Sequence, residues 1–193
     1  MPAKLKQKYI SEEDYLTMEE VSPVRHEYFD GEIFQMAGAS DNHNSIAMNI
    51  SSELHQQLKK RQCKVYQNDM RLYIEKEEIY VYPDVMVVCG KPEFKKYKSL
   101  ENLLNPILMV EILSDSTADF DKGRKFEHYR TRDSFKEYLL VSQKNKQIMR
   151  YTKQPDGSWN LMDFIGDAIE IELFSIECSL SMNDIYDKVE FDA

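Results

Sequence analysis

Residues 107–113 spell Ile-Leu-Met-Val-Glu-Ile-Leu, an apolar strand unbroken except for Glu111 near its centre. An ionised carboxylate taken into an apolar interior costs several kcal/mol unless a cation or hydrogen-bond donors compensate it. Any fold that uses this strand must therefore bring partners to Glu111. Asp84 makes the same demand from a second strand-like run, Ile-Tyr-Val-Tyr-Pro-Asp-Val-Met-Val-Val over 79–88. There Pro83 interrupts the ladder and marks an edge, a bulge or a strand start.

If those two strands are neighbours, their carboxylates converge, and the pair suits a hard cation such as Mg2+, which takes one or two carboxylates and keeps waters. A third member follows the Glu111 strand. Residues from about Phe120 to Thr131 read as a helix in which Asp121, Lys125 and Tyr129 recur at i,i+4 on one face. Lys125 can then return over the same sheet edge, tethered by Asp121 and underpacked by Tyr129. The competing account is an Asp121–Lys125 surface pair, contributing roughly a few tenths of a kcal/mol, with Glu111 neutralised by some arginine.

The remaining pattern mixes hairpins with helical crossovers. Ser11 before Glu12-Glu13-Asp14 predicts a capped helix to about Glu20, and Asp30-Gly31 predicts a hairpin. Residues from Asp41 to about Lys60 predict the first long helix, with Asp41 or Asn42 as cap. Strand-like runs follow at 63–68, 70–75 and 79–88, then a loop with a short helix over 91–105 and a strand from Ile107 to Leu113. Further strands fall within 137–174, one hairpin turning at Asp156-Gly157, before a capped terminal helix over Ser181–Val189. The fold class expected is α/β or α+β, with a mixed central sheet flanked by helices. No repeat or Gly/Ser-rich linker divides the 193 residues, so the whole chain reads as one unit.

Composition narrows the function classes. No run approaches the about 18 apolar residues of a membrane helix, and the start, MPAKLKQKYISEEDYL, has no apolar signal core, so a cytoplasmic location is expected. Cys63, Cys89 and Cys178 are few, distant and without a C-x-x-C pair, which favours reduced structural thiols. The net charge of −9 argues against holding nucleic acid by bulk positive charge. Most of that acidity lies in residues 160–193, which hold nine acids against Lys188. The local basic groups, Lys91 with Lys95, Lys96 and Lys98, and Lys144 with Lys146, Arg150 and Lys153, read first as solvated loop charges.

The blocks YPDVMVV, ILMVEILSDSTADFDKGRKFEHY and FKEYLLVS, with the opening YLTMEEVSPVRHEYFDGEIFQMAGASDNH, resemble the Uma-type restriction-endonuclease family of the PD-(D/E)XK nuclease superfamily. The resemblance covers about residues 9–155. It implies a restriction-endonuclease-like fold, with Mg2+ or Mn2+ held by Asp84 and Glu111. The superfamily's usual lysine, two residues after the second acid, is here Leu113. The family's answer is a lysine displaced onto the next helix, which Lys125 matches, with Lys122 as substitute. Glu27 matches an early acid placed near the metal; the alternative is a hairpin carboxylate paired with Arg25 or solvent. His43 matches a position at the start of the long helix, where it touches substrate or caps and packs. Ser114, Ser116 and Thr117 read as helix caps, since no nucleophile turn surrounds them.

The activity implied is metal-assisted phosphodiester hydrolysis, with DNA as substrate and Asp84, Glu111, Lys125 and Glu27 as the catalytic set. By analogy with the superfamily, a homodimer is a further possibility. Two alternatives stay open: a non-catalytic interaction module that keeps the nuclease fold, and a phosphoesterase acting on RNA or nucleotides.

Overall fold

The computed structural model describes residues 9–114 and 118–191. Helix α1 (Glu12–Val21) starts at Ser11, whose Oγ accepts from Asp14 N, and its first turn holds Glu12, Glu13 and Asp14, where carboxylates favour the free N–H groups. Asp30 and Gly31, both at positive φ (43° and 86°), turn strand β1 (His26–Phe29) into β2 (Glu32–Gln35), as a two-residue hairpin requires. Helix α2 (Asp41–Leu58) is capped by Ser40, not by Asp41 or Asn42; the Ser40 Oγ accepts from His43 N.

Strands β3 (Cys63–Gln67), β4 (Arg71–Ile74) and β5 (Ile79–Val81) follow. The chain then leaves one sheet for another through Tyr82-Pro83-Asp84 and resumes as β6 (Val85–Cys89). The run 79–88 is therefore two strands in different layers, and proline, which cannot donate to a ladder, stands at the crossing. Residues 91–105, expected to hold a short helix, instead carry the hairpin β7 (Phe94–Tyr97) and β8 (Leu100–Leu103). Pairing decides it: β8 lies parallel to β4, with Leu103 beside Leu72 and both fully buried.

Strand β9 (Leu108–Leu113) carries Glu111. The predicted helix after it is a composite: α3 (Ala118–Phe120), a π-helical turn (Asp121–Lys125) and α4 (Phe126–Tyr129). Ser116 and Thr117 lie outside the described residues. Strands β10 (Glu137–Ser142), β11 (Gln147–Lys153) and β12 (Trp159–Ile165) complete a meander. The hairpin β13 (Glu170–Leu173) and β14 (Cys178–Ser181) leads into α5 (Met182–Ile185), shorter than the helix expected there.

Two mixed six-stranded sheets result, in the orders β2-β1-β5-β4-β8-β7 and β12-β11-β10-β9-β6-β3. Alternation sorts the second sheet's side chains. Val85, Val87, Val110 and Ile112 face α2, the β13–β14 hairpin and α5, while Met86, Val88 and Met109 face the first sheet and Tyr129. On the far side of the first sheet, Tyr28, Tyr73 and Tyr80 pack under Tyr15 and Leu16 of α1. Glu111 falls in the same alternation as Met109, so it points into the space between the two sheets.

The cysteine expectation is corrected. Cys63 and Cys89 stand opposite each other in the antiparallel β3–β6 register and form a disulfide, while Cys178 is a free, buried thiol. A separation of 26 residues hides a pairing that only the strand register creates. Titration of unfolded protein with a thiol reagent is expected to count one thiol before reductant and three after. None of the described helices is long and apolar enough to cross a membrane.

Candidate active site

Four elements aim polar side chains at one end of the space between the sheets. Glu27 comes from β1, Asp84 from the crossing before β6, Glu111 from β9, and Asp121 and Lys125 from the π-helical turn. The Lys125 Nζ lies 3.2 Å from Glu27 Oε1, 3.3 Å from Glu111 Oε1 and 3.1 Å from Asp121 Oδ1. All four side chains are nearly buried. Tyr129 OH donates to Glu111 Oε1 at 2.7 Å, so it hydrogen-bonds the acid as well as packing beneath the lysine. Tyr138 OH donates to the Asp121 carbonyl at 3.2 Å and so ties the π turn to β10. A π turn is a frequent device at functional sites, because its extra residue re-aims the side chains around it.

Val85 pairs with Val110, which sets Asp84 beside Glu111. Asp84 Oδ2 accepts from Ile112 N at 2.7 Å and lies 3.2 Å from His43 Nε2. The Ser40 cap that starts α2 thus also delivers His43 to the acid, a contact that nothing in the residue spacing announces. Lys122 is exposed, whereas Lys125 is buried among the acids. Glu27 faces Lys125 rather than Arg25, and Arg25 pairs with Asp69.

The electrostatics follow from the count of charges. Burial pushes the Glu111 carboxyl well above its usual range; Lys125 pulls it down, but Asp121, Asp84 and Glu27 push it up again. Burial alone would lower the Lys125 ammonium, yet Glu111, Glu27 and Asp121 together hold it well above its usual value. Burial thus leads the rise of Glu111 and the neighbouring acids add to it, whereas for Lys125 those acids outweigh burial. Burial and the Glu111 carboxylate likewise raise the Tyr129 phenol, which keeps its proton and its role as donor. Burial would lower His43, but Asp84 beside it and Asp121 beyond hold it above the ordinary histidine value. Glu137, an equally buried acid on β10, shows the contrasting structural solution: its oxygens accept from Phe174 N, Ser175 N and Ser175 Oγ.

These side chains end an open cleft of about 970 Å3, whose walls also include Arg25, Phe34, Gln67, Asn68 and Gln143. Among the described residues, no three His, Cys, Asp or Glu side chains stand in a ready metal-ligating arrangement. The donor chemistry nevertheless fits a hard cation. Asp84, just before β6, and Glu111 on the neighbouring β9 offer carboxylate oxygens side by side, and a Mg2+ that takes only one or two carboxylates needs no three-residue cage. Burial raises Glu111 first, and the surplus negative charge that raises it further is what such an ion would relieve.

Comparison with known proteins identifies the family. The family model Uma2, described as "Putative restriction endonuclease", matches residues 12–183. The chain belongs to the Uma2 family. Two relatives from Synechocystis sp. (strain ATCC 27184 / PCC 6803 / Kazusa) are named as uncharacterized proteins. The first, sll1609, is 40% identical over 165 residues, covering 86% of this chain and 93% of its own. The second, slr1290, is 35% identical over 182 residues, covering 94% of each. Among solved structures, a "putative nuclease belonging to DUF820" from Anabaena variabilis ATCC 29413 superposes with a TM-score of 0.73 at 16% identity, covering 92% of this chain and 97% of that one. At that identity the match speaks for the fold, a mixed α+β architecture shared over nearly the whole chain.

Proposed function

We propose that this Uma2 member is a metal-dependent endonuclease that hydrolyses phosphodiester bonds in DNA. The observation that carries the reading is the Lys125 ammonium held by Glu27, Glu111 and Asp121 at the end of an open cleft, with Asp84 just before the adjacent strand β6. Mg2+ or Mn2+, held by Asp84 and Glu111, would supply Lewis acidity toward the phosphoryl group and activate water. Lys125, positively charged and fixed in a nearly dry site, stabilises negative charge that grows on the phosphate. Glu27 and Asp121 hold that ammonium in place, and Tyr129 orients Glu111 through its hydroxyl. His43 orients Asp84 from the other side. Electrostatic stabilisation needs groups fixed before the reaction, and the contacts of Lys125 with Glu27 and Asp121 provide that.

The test is cleavage of supercoiled plasmid and of single-stranded circular DNA with Mg2+ and with Mn2+. The parent is expected to cut, and Asp84→Ala and Lys125→Ala to lose at least about 100-fold in rate, the scale of removing one stabilising group. In parallel, a thermal-shift titration should show Mg2+ or Mn2+ stabilising the parent and not Asp84→Ala, since an ion that binds only the folded state raises its stability. Lack of cleavage with every divalent ion, or variants that cut like the parent, defeats the reading. RNA and nucleotide substrates run beside the plasmid decide between DNA and the other phosphodiesters.

A further inference from the structure

A cleft ending in carboxylates receives duplex DNA poorly. B-DNA carries one charge per about 1.7 Å of axis, and proteins that grip it neutralise phosphates with lysine and arginine. Here Arg25 and Lys125 are the lysine and arginine of the cleft wall among the described residues, facing Glu27, Asp69, Asp84, Glu111 and Asp121. Both are engaged, Arg25 by Asp69 and Lys125 by three acids, and His43 already faces Asp84. Of the basic cluster over residues 91–98, Lys95, Lys96 and Lys98 are paired to Glu12, Glu101 and Glu20.

The wall offers something else. Phe34 lies on β2, the edge of its sheet, directly opposite Glu27 in the hairpin register, so the two side chains share a face. Its ring is 45% exposed and lines the cleft. Behind it, Phe29 packs edge-on at 5.8 Å, and Phe120 packs edge-on against Phe29 at 5.1 Å. Phe34 is thus a ring held from behind, open in front, and one cross-strand step from an acid that touches Lys125. Such a surface suits the flat face of a nucleobase, and it needs no basic groove.

We propose that Phe34 stacks on an unpaired nucleobase, and that the substrate is a single strand or a locally unpaired site rather than intact duplex. The proposal rests on the nuclease reading for its choice of ligand and deepens it to a substrate class. Stacking of a base on an aromatic ring strengthens binding by about 5- to 150-fold and tolerates any base. Its affinity also depends less on salt than phosphate neutralisation does, because fewer counterions are released.

The test is fluorescence anisotropy with short labelled single strands of DNA and of RNA and with the matching DNA duplex, in EDTA and in Ca2+. The single strand is expected to bind more tightly than the duplex, and the DNA and RNA arms identify which strand supplies the base. Phe34→Ala and Phe34→Leu should each weaken single-strand binding by about tenfold, since leucine keeps apolar bulk but has no ring face. Phe34→Trp should retain binding, and its added fluorescence should be quenched by the oligonucleotide. Equal affinity for duplex and single strand, or a Phe34→Leu variant that binds like the parent, overturns the proposal. The two readings separate cleanly. Single-strand binding through Phe34 without cleavage removes the nuclease and keeps the stacking; duplex cleavage unchanged by Phe34→Ala does the reverse.

Discussion

Lys125→Met is expected to abolish cleavage and to destabilise the protein by about 3–5 kcal/mol, the cost of stripping a buried ionic group of its partner. Methionine keeps most of the apolar stem, so the loss isolates the ammonium. Glu27, Glu111 and Asp121, all within 3.3 Å of that nitrogen, would be left facing one another in a nearly dry site. Urea denaturation reads the effect as a lower midpoint with an unchanged slope. Lys125→Arg provides the control: it restores charge, and hence part of the stability, but its planar fork does not reproduce a point donor among three acids, so cleavage stays low. A Lys125→Met protein as stable as the parent would mean that the cluster is solvated and that the buried-charge account is wrong.

Glu111→Gln is expected to do the opposite to stability while also stopping cleavage. The amide oxygen still accepts from Tyr129, and Lys125 keeps Glu27 and Asp121, but one unfavourable buried charge is gone. The sign follows from the raised carboxyl. A folded-state pKa above the ordinary 4.5 means that the folded protein prefers the protonated acid, so ionisation at neutral pH costs the parent stability. In metal-free buffer the variant should therefore exceed the parent at pH 7. The gap stays constant above the folded pKa, narrows as pH falls through it, and closes near 4.5. Urea midpoints across that range measure it. Mg2+ should shrink the gap by stabilising the parent alone, if Glu111 is a metal ligand. A variant less stable than the parent at every pH would show that the ionised acid is already fully compensated.

How much of this was legible beforehand depended on whether the deciding interaction was local. The Ser11 cap and the Asp30-Gly31 turn satisfy backbone needs within a few residues, and the structure has them where the sequence put them. The meeting of Asp84, Glu111 and Lys125 was also readable, because an acid inside an apolar strand must find partners and i,i+4 spacing says which helix face supplies them. What failed was set by tertiary pairing. The run 79–88 looks like one strand because apolar alternation carries no mark of which sheet a residue joins. Residues 94–103 became a hairpin because β8 found β4, and Cys63 met Cys89 because β3 found β6. The second sheet was not anticipated at all. Its strands are short, and each draws its stability from neighbours far away in sequence. The His43 contact with Asp84 belongs to the same class, since it joins the first turn of a helix to a loop 41 positions on.

The crossing at Tyr82-Pro83-Asp84 gives the acidic cluster a mechanical meaning. Glu27 rides on one layer, Glu111 on the other, and Lys125 grips both, so the ion pairs form a clasp between sheets that are otherwise joined by apolar packing. Slippage of one layer past the other by a fraction of a residue would pull the acids off their lysine before any strand came apart. Cleavage should then be the first property lost on gentle heating, and a cation held by Asp84 and Glu111 would tighten only one half of that clasp, leaving Glu27 to Lys125 and to a hydrogen bond from Tyr82 N.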